Sequence, residues 1–333
     1  MEKKFKRILV TGGAGYVGSA LVPRLLREGY EVRVLDLYIY GDHVLDEVKG
    51  HPGLTEIKGD MRDRALLERA AAGCDSVIHL ACISNDPSFE LDPGLGKSIN
   101  YDAFLDLVDV SKQAGARRFI YASSSSVYGI KDEEQVTEDL SLEPLTDYSK
   151  YKAMCEDVLL NAGSASFVPL VIRPSTVCGY APRLRLDVVV NILTNHAYHT
   201  RKIKVFGGEQ LRPNIHINDM VDVYIQGMLW EDKDIFNKIY NVGYMNQKVR
   251  ELGELVRETV GGDIDMEIVP TNDNRSYRVS SEKIRRELGF APKFDIQDAV
   301  RDLVDAFKAG KVPNSMTDPI YFNIKRMQEI NLK

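Results

Sequence analysis

Up to about residue 175 the chain alternates two hydrophobic rhythms. Short continuous apolar runs rich in Val and Ile are followed by longer stretches in which apolar positions return every three or four residues. Continuous runs suit strands buried on both faces and the longer period suits amphipathic helices, so the alternation predicts repeated βαβ units around a parallel sheet. Strands are expected at Arg7–Thr11, Glu31–Asp36, Leu54–Lys58, Ser76–Ala81, Arg118–Ala122 and Pro169–Arg173, with helices near 16–28, 62–73, 97–114 and 148–162. On the first helix Val17, Leu21 and Leu25 make one stripe, and Pro23 within it predicts a kink.

Past Pro174 the rhythm changes. Arg183 and Arg185 fall in a loop, followed by a helix near 186–200 and a strand at Ile203–Phe206. A helix at Asp219–Leu229 and a strand at Ile239–Val242 would rejoin the main sheet, and helices near 248–260, 281–288 and 297–309 would complete a smaller lobe. The fold class is therefore α/β, a doubly wound parallel sheet with a smaller, sequence-interleaved α/β lobe for substrate. The first takes residues 1–175 and about 216–245, the second about 176–215 and 246–333.

Composition narrows the class. With 333 residues, 44% of them apolar, the chain can build one large core and a second, smaller one. A net charge of −6 without long runs of one sign argues against nucleic acid as a partner. Cys74, Cys82, Cys155 and Cys178 form no CxxC pair and lie in or beside apolar runs, the pattern of reduced thiols in the cytoplasm. The first residues lack the apolar segment of a signal peptide, and no stretch is apolar enough to span a membrane. His196 and His199 are three apart with no third ligand evident, so no metal is expected.

Thr11-Gly12-Gly13-Ala14-Gly15-Tyr16-Val17-Gly18 ends the first strand and opens the first helix. Three glycines alone also describe a plain turn. In this context they supply the tight turn, the close approach and the helix–sheet contact of a Rossmann-type dinucleotide site, with helix-start N–H groups for a pyrophosphate. Asp36 ends the second strand, where a carboxylate accepts hydrogen bonds from ribose hydroxyls and repels a 2′-phosphate. Leu37 brings no positive charge for that phosphate, although Arg33 is near, so NAD is favoured over NADP.

Tyr148 and Lys152 stand four apart on one helix face. With 16 tyrosines the spacing is weak, and it recurs at Tyr198/Lys202, Tyr244/Lys248 and Tyr321/Lys325. Position separates them: only Tyr148 falls just after the fifth strand, whose end carries the hydroxyl-rich Ser123-Ser124-Ser125-Ser126-Val127-Tyr128-Gly129 at the ligand-binding edge of such a sheet. A tyrosine titrates near pH 10, so it acts as a base near neutrality only beside a cation such as Lys152. Ser124 would hold a substrate hydroxyl while Tyr148 takes its proton.

Taken in order, TGGAGYVG, Asp36, Gly59-Asp60-Met61, His79-Leu80-Ala81, Asn100, SSSSVYG, Tyr148-x-x-x-Lys152 with Glu156, Arg173, and Arg212 before His216 and Asp219 resemble the extended short-chain dehydrogenase/reductases over nearly the full length. Within them the chain is similar to the nucleotide-sugar epimerases and dehydratases. The resemblance implies an enzyme acting on a nucleotide-diphosphate sugar with NAD, held by Gly12, Gly15, Tyr16, Val17, Gly18 and Asp36. It further implies that Asp60 and Met61 flank adenine, that Leu80, Ala81 and Ser84 lie along the cofactor, and that Asn100 supports it. The catalytic set it implies is Ser124, Tyr148 and Lys152, and the helices near 97–114 and 148–162 are where relatives form a homodimer.

Dehydratases of that family carry an Asp-Glu pair where this chain has Ser125 and Ser126, so a 4,6-dehydratase is disfavoured. Arg212 and Arg275 match positions that clamp a diphosphate, which suits a bidentate guanidinium. Thr176 stands in place of a usual asparagine near the substrate, as Pro213 does for an aspartate. Three readings follow: a 4-epimerase working through a 4-keto intermediate, a 4-dehydrogenase or 4-keto reductase, and a non-catalytic NAD-sensing protein. The segment Pro182-Arg183-Leu184-Arg185-Leu186-Asp187 resembles a subgroup that includes GDP-heptose 4-dehydrogenases.

Overall fold

Strands β1 (Arg7–Thr11), β2 (Glu31–Asp36), β3 (Leu54–Lys58), β4 (Ser76–His79), β5 (Arg118–Ala122) and β6 (Val168–Pro174) come first. They are followed by β7 (Thr176–Cys178), β8 (Lys202–Phe206), β9 (Leu211–His216), β10 (Lys238–Val242), β11 (Met245–Lys248) and β12 (Asp265–Val269). The computed structural model describes residues 4–271, 276 and 278–333. Seven strands form one parallel sheet in the order β10-β6-β5-β4-β1-β2-β3. The order reverses between β1 and β4, so the loops after these two strands diverge and leave a crevice at the carboxyl edge.

Alternate side chains of the buried strands feed two cores. Ile8 and Val10 of β1 face the helices Tyr16–Arg27 and Ile217–Leu229, together with Leu21, Leu25, Val221 and Met228. Leu9 faces the opposite layer, where helices Arg64–Ala71, Ala103–Gln113 and Asp147–Asn161 bring Leu67, Phe104, Leu107 and Leu159. This is the doubly wound α/β arrangement expected, and β10 returns to pair with β6.

The smaller lobe has its own core, in which Val190, Leu193, Val205, Leu252, Val256 and Val300 meet. It holds two short sheets, β11-β9-β7 and the parallel pair β12-β8. Of these strands only β8 was expected.

Other details also differ. The helix Tyr16–Arg27 runs through Pro23 as one element. The stretch expected as one helix over 97–114 is Pro93–Lys97, a π-helical turn at Ser98–Asp102, then Ala103–Gln113. The fourth strand stops at His79, two residues early, because the chain then turns to line the crevice. Helix Glu282–Leu288 sends Ile284 into the core shared with β10, whereas the sequence pattern places this helix in the smaller lobe. A helix at Asn323–Glu329 was not anticipated.

Candidate active site

The glycine turn is built so that only backbone fits. Gly12 has φ +75°, and a Cβ there would lie 2.5 Å from the Ala81 nitrogen. A Cβ on Gly18 would lie 2.4 Å from the Gly12 carbonyl oxygen. The helix starting at Tyr16 has no side-chain cap, so its first N–H groups are left for an anion. Asp36 accepts from the Ala14 N–H at 3.0 Å and the Tyr38 N–H at 2.7 Å. Burial pushes its carboxyl above the usual range, against the pull of those amides.

At the other end of the crevice, β5 delivers Ser123–Ser126 and the helix Asp147–Asn161 delivers Tyr148 and Lys152. Thr146 caps that helix by accepting from the Ser149 N–H at 3.3 Å. Lys152 Nζ donates to the Ala122 carbonyl at 2.7 Å and stands 5.9 Å from the centre of the Tyr148 ring. Burial raises the Tyr148 phenol well above the ordinary tyrosine value, and Cys82 and Asp86 add to this while Arg185 and a hydrogen bond to Ser124 oppose it. Beneath, Glu156 accepts from Ser123 Oγ and from Arg173, with Arg173 Nη2 at 2.6 Å, locking the ends of β5 and β6 to the helix.

A hydroxyl chain runs outward from this centre. Ser124 Oγ is 2.9 Å from Ser126 Oγ, to which Ser149 Oγ donates at 2.8 Å. Thr146 Oγ1 lies 3.1 Å from Ser149 Oγ and 2.6 Å from Asp86 Oδ1.

These groups share one crevice, a main cavity of about 490 Å³ opening into a slot of about 120 Å³. Gly12, Gly15, Tyr16, Val17, Gly18, Leu80, Ser84, Ser124, Ser125, Tyr148, Lys152, Thr176 and Arg212 line the cavity. Asp36, Asp60, Met61 and Ala81 line the slot. The three other Tyr/Lys pairs line neither. Asn100 is buried beside the crevice without lining it, and both ends of its amide bond the Ile83 backbone, at 2.8 and 2.9 Å. Arg275 lies outside the described residues.

Several lining residues were missed as site residues. Arg183 stacks over Tyr40, with its carbon 3.6 Å from the ring centre, and donates to Asn323 Oδ1. Arg185 reaches Ser84 Oγ at 3.1 Å and Asp187. A period of two was legible in Arg183-Leu184-Arg185-Leu186: both leucines enter a core with Leu303 and Phe307, which turns both arginines to the cavity. Tyr16 donates its hydroxyl to the Gly179 carbonyl at 2.6 Å, and Ser19 Oγ accepts from the Arg183 N–H at 3.1 Å, so the glycine-turn helix is stitched to this segment.

A family model described as the NAD dependent epimerase/dehydratase family matches residues 8–243. A UDP-glucose 4-epimerase of Lactobacillus helveticus is 28% identical over 320 residues, covering 88% of this chain and 94% of that protein. A dTDP-glucose 4,6-dehydratase of Streptomyces griseus is 30% identical over 305 residues, covering 88% and 91%. Among solved structures, the complex of the Thermus thermophilus UDP-glucose 4-epimerase with NAD is similar at a TM-score of 0.79, with 26% identity, over 91% of this chain and 99% of that one.

Proposed function

Because the chain belongs to the NAD-dependent epimerase/dehydratase family, and is therefore an NAD-dependent enzyme of the extended short-chain dehydrogenase/reductase type, we propose that it is a nucleotide-sugar 4-epimerase. The observation that carries this reading is the meeting of Ser124, Tyr148 and Lys152 in one cavity with the glycine turn, while the run Ser123–Ser126 contains no carboxylate. Elimination of water needs an added acid and base there, whereas inversion at a carbinol carbon needs one proton acceptor and one hydride site.

The residues present fit NAD. The turn has room for backbone alone at Gly12 and Gly18, and Asp36 faces the slot with its two oxygens already anchored by amides. The cofactor's chemistry is acceptance of a hydride from the sugar carbon and its later return. The rest falls to the chain. Ser124 orients the C4 hydroxyl by hydrogen bond, and Tyr148 Oη, ionised beforehand with the Lys152 ammonium offsetting the cost of its burial, takes the hydroxyl proton and becomes the neutral phenol. When the keto sugar presents its other face, the same phenol gives the proton back. Arg212 and Thr176 bind the nucleotide diphosphate portion at the far wall, with Arg275 as a second clamp. Asp60, Met61, Leu80, Ala81 and Ser84 lie along the dinucleotide, and Asn100 acts one step removed by fixing the Ile83 backbone.

The test is to supply UDP-, GDP-, CDP- and dTDP-hexoses to protein purified with its own cofactor and follow C4 configuration by proton NMR. Inversion of at least one without added NAD is expected; inversion of none overturns the reading. A second reading is a 4-dehydrogenase or 4-keto reductase, favoured by the hydroxyl chain to Asp86, which offers a substrate proton an exit. It would show a net change in NADH with substrate.

A further inference from the structure

The slot beside Asp36 is apolar on both broad faces. Leu35, Ile39 and Ile99 come from the body of the sheet domain, and Met327 and Leu332 come from the far end of the sequence. These last two lie outside the stretch that matches the family model, which ends at residue 243. We propose that residues 319–333 belong to the cofactor site: Met327 and Leu332 form the outer wall against which the adenine of NAD packs, and the segment must open for NAD to leave.

The segment is held at three of the loops that border the slot. Arg326 Nε donates to the Ile39 carbonyl in the loop after β2. Arg62, which grips Asp60 in the loop after β3, donates to the Lys333 carbonyl at 2.8 Å. Asn323 donates to Ser84 Oγ at 3.0 Å in the loop after β4, and its own N–H bonds Asp187 at 3.0 Å. Met327 is 6% exposed and shares a core with Leu35 and Met61. The slot opens into the main cavity past Gly12 and Gly15, so a ring in the slot has its ribose beside Asp36 and its pyrophosphate at the turn. A flat base between apolar walls loses its solvent, and the wall must part before water returns to it.

The inference holds for an epimerase or a dehydrogenase alike, so its test reads NAD binding. In the full chain loaded with NADH, release into excess NAD is followed by loss of protein-bound NADH fluorescence. The double variant Met327→Ala/Leu332→Ala is expected to release NADH roughly tenfold faster or more, in line with losing buried apolar wall. Glu258→Ala, an exposed position that lines neither the slot nor the cavity, is expected to match the unchanged protein. In the unchanged protein, amide hydrogen exchange across 323–330 is expected to slow when NAD binds. Unaltered release from a double variant with normal circular dichroism and melting would overturn the proposal. If that variant does not fold, the exchange comparison decides, and no added protection across 323–330 overturns it.

Discussion

His79 was part of a cofactor-lining motif in the sequence, yet it lines neither part of the crevice. It is 2% exposed, lies 2.6 Å from Thr11 Oγ1, and packs against Phe104 and Tyr121. Burial, aided by the Lys152 cation, brings its pKa down to about 3. The folded protein thus excludes a proton that the unfolded chain takes up near pH 6.5. A depressed folded value means that stability is complete above about 6.5 and is lost as pH falls through the window toward 3. His79→Asn, which cannot take the proton, should be less stable at pH 7. Its unfolding free energy should fall less steeply between pH 6 and 4, by up to about 1.4 kcal/mol per pH unit. Denaturant melts across that range check this, and parallel curves for the two proteins would refute it. Gly12 is the opposite case. Its role was legible because a glycine at strand end and helix start has few other uses, whereas the burial of His79 depends on aromatic neighbours remote in sequence.

Elements buried on both sides were the ones the hydrophobic rhythm located well. β1 and β5 match residue for residue, because a two-sided core demands an unbroken apolar run, and β2 and β3 match as well, although β3 is a largely exposed edge strand. In the smaller lobe the signal was thinner. β9 contains Pro213, tolerated because β7 begins opposite Asn214 and leaves that position without a neighbour on that side. β12 does alternate, but it belongs to a two-stranded sheet with half-exposed faces, so its apolar positions are few. Placement of Ser124, Tyr148 and Lys152 was legible from element order, whereas the hydroxyl chain was not, since it joins a loop, a cap and a helix through side-chain rotamers. Ser149 donates to Ser126 beside Ser124, and under the proposed chemistry it would act as a positioning residue. Ser149→Ala should lower kcat roughly two- to tenfold, the worth of one hydrogen bond, with KM unchanged and the pH profile of kcat displaced. Ser149→Thr should recover most of the loss. A variant that merely melts earlier, with normal kcat and pH profile, would show the chain to be structural only.

On the scale of the whole molecule, the helices Ala103–Gln113 and Asp147–Asn161 lie side by side on one face and leave Leu105 40% and Met154 41% exposed. Large apolar side chains left open on adjacent helices suit a second copy, so a homodimer through these helices is expected. Leu105→Glu with Met154→Glu should halve the mass seen by sedimentation; a monomer before substitution would dispose of the idea. Among the described residues no helix is long and apolar enough to cross a membrane.

The bond from Asn323 to Ser84 spans 239 residues of sequence. On a ribosome adding roughly 5–20 residues per second, the two ends of that bond are made on the order of 10–50 seconds apart. β1 to β4 and the glycine turn are already made when Ser84 is added, and they wait through that interval without the wall that completes the adenine slot. If that wall holds the adenine as proposed, a nascent first half would keep NAD only loosely, and tight loading would follow completion of the chain.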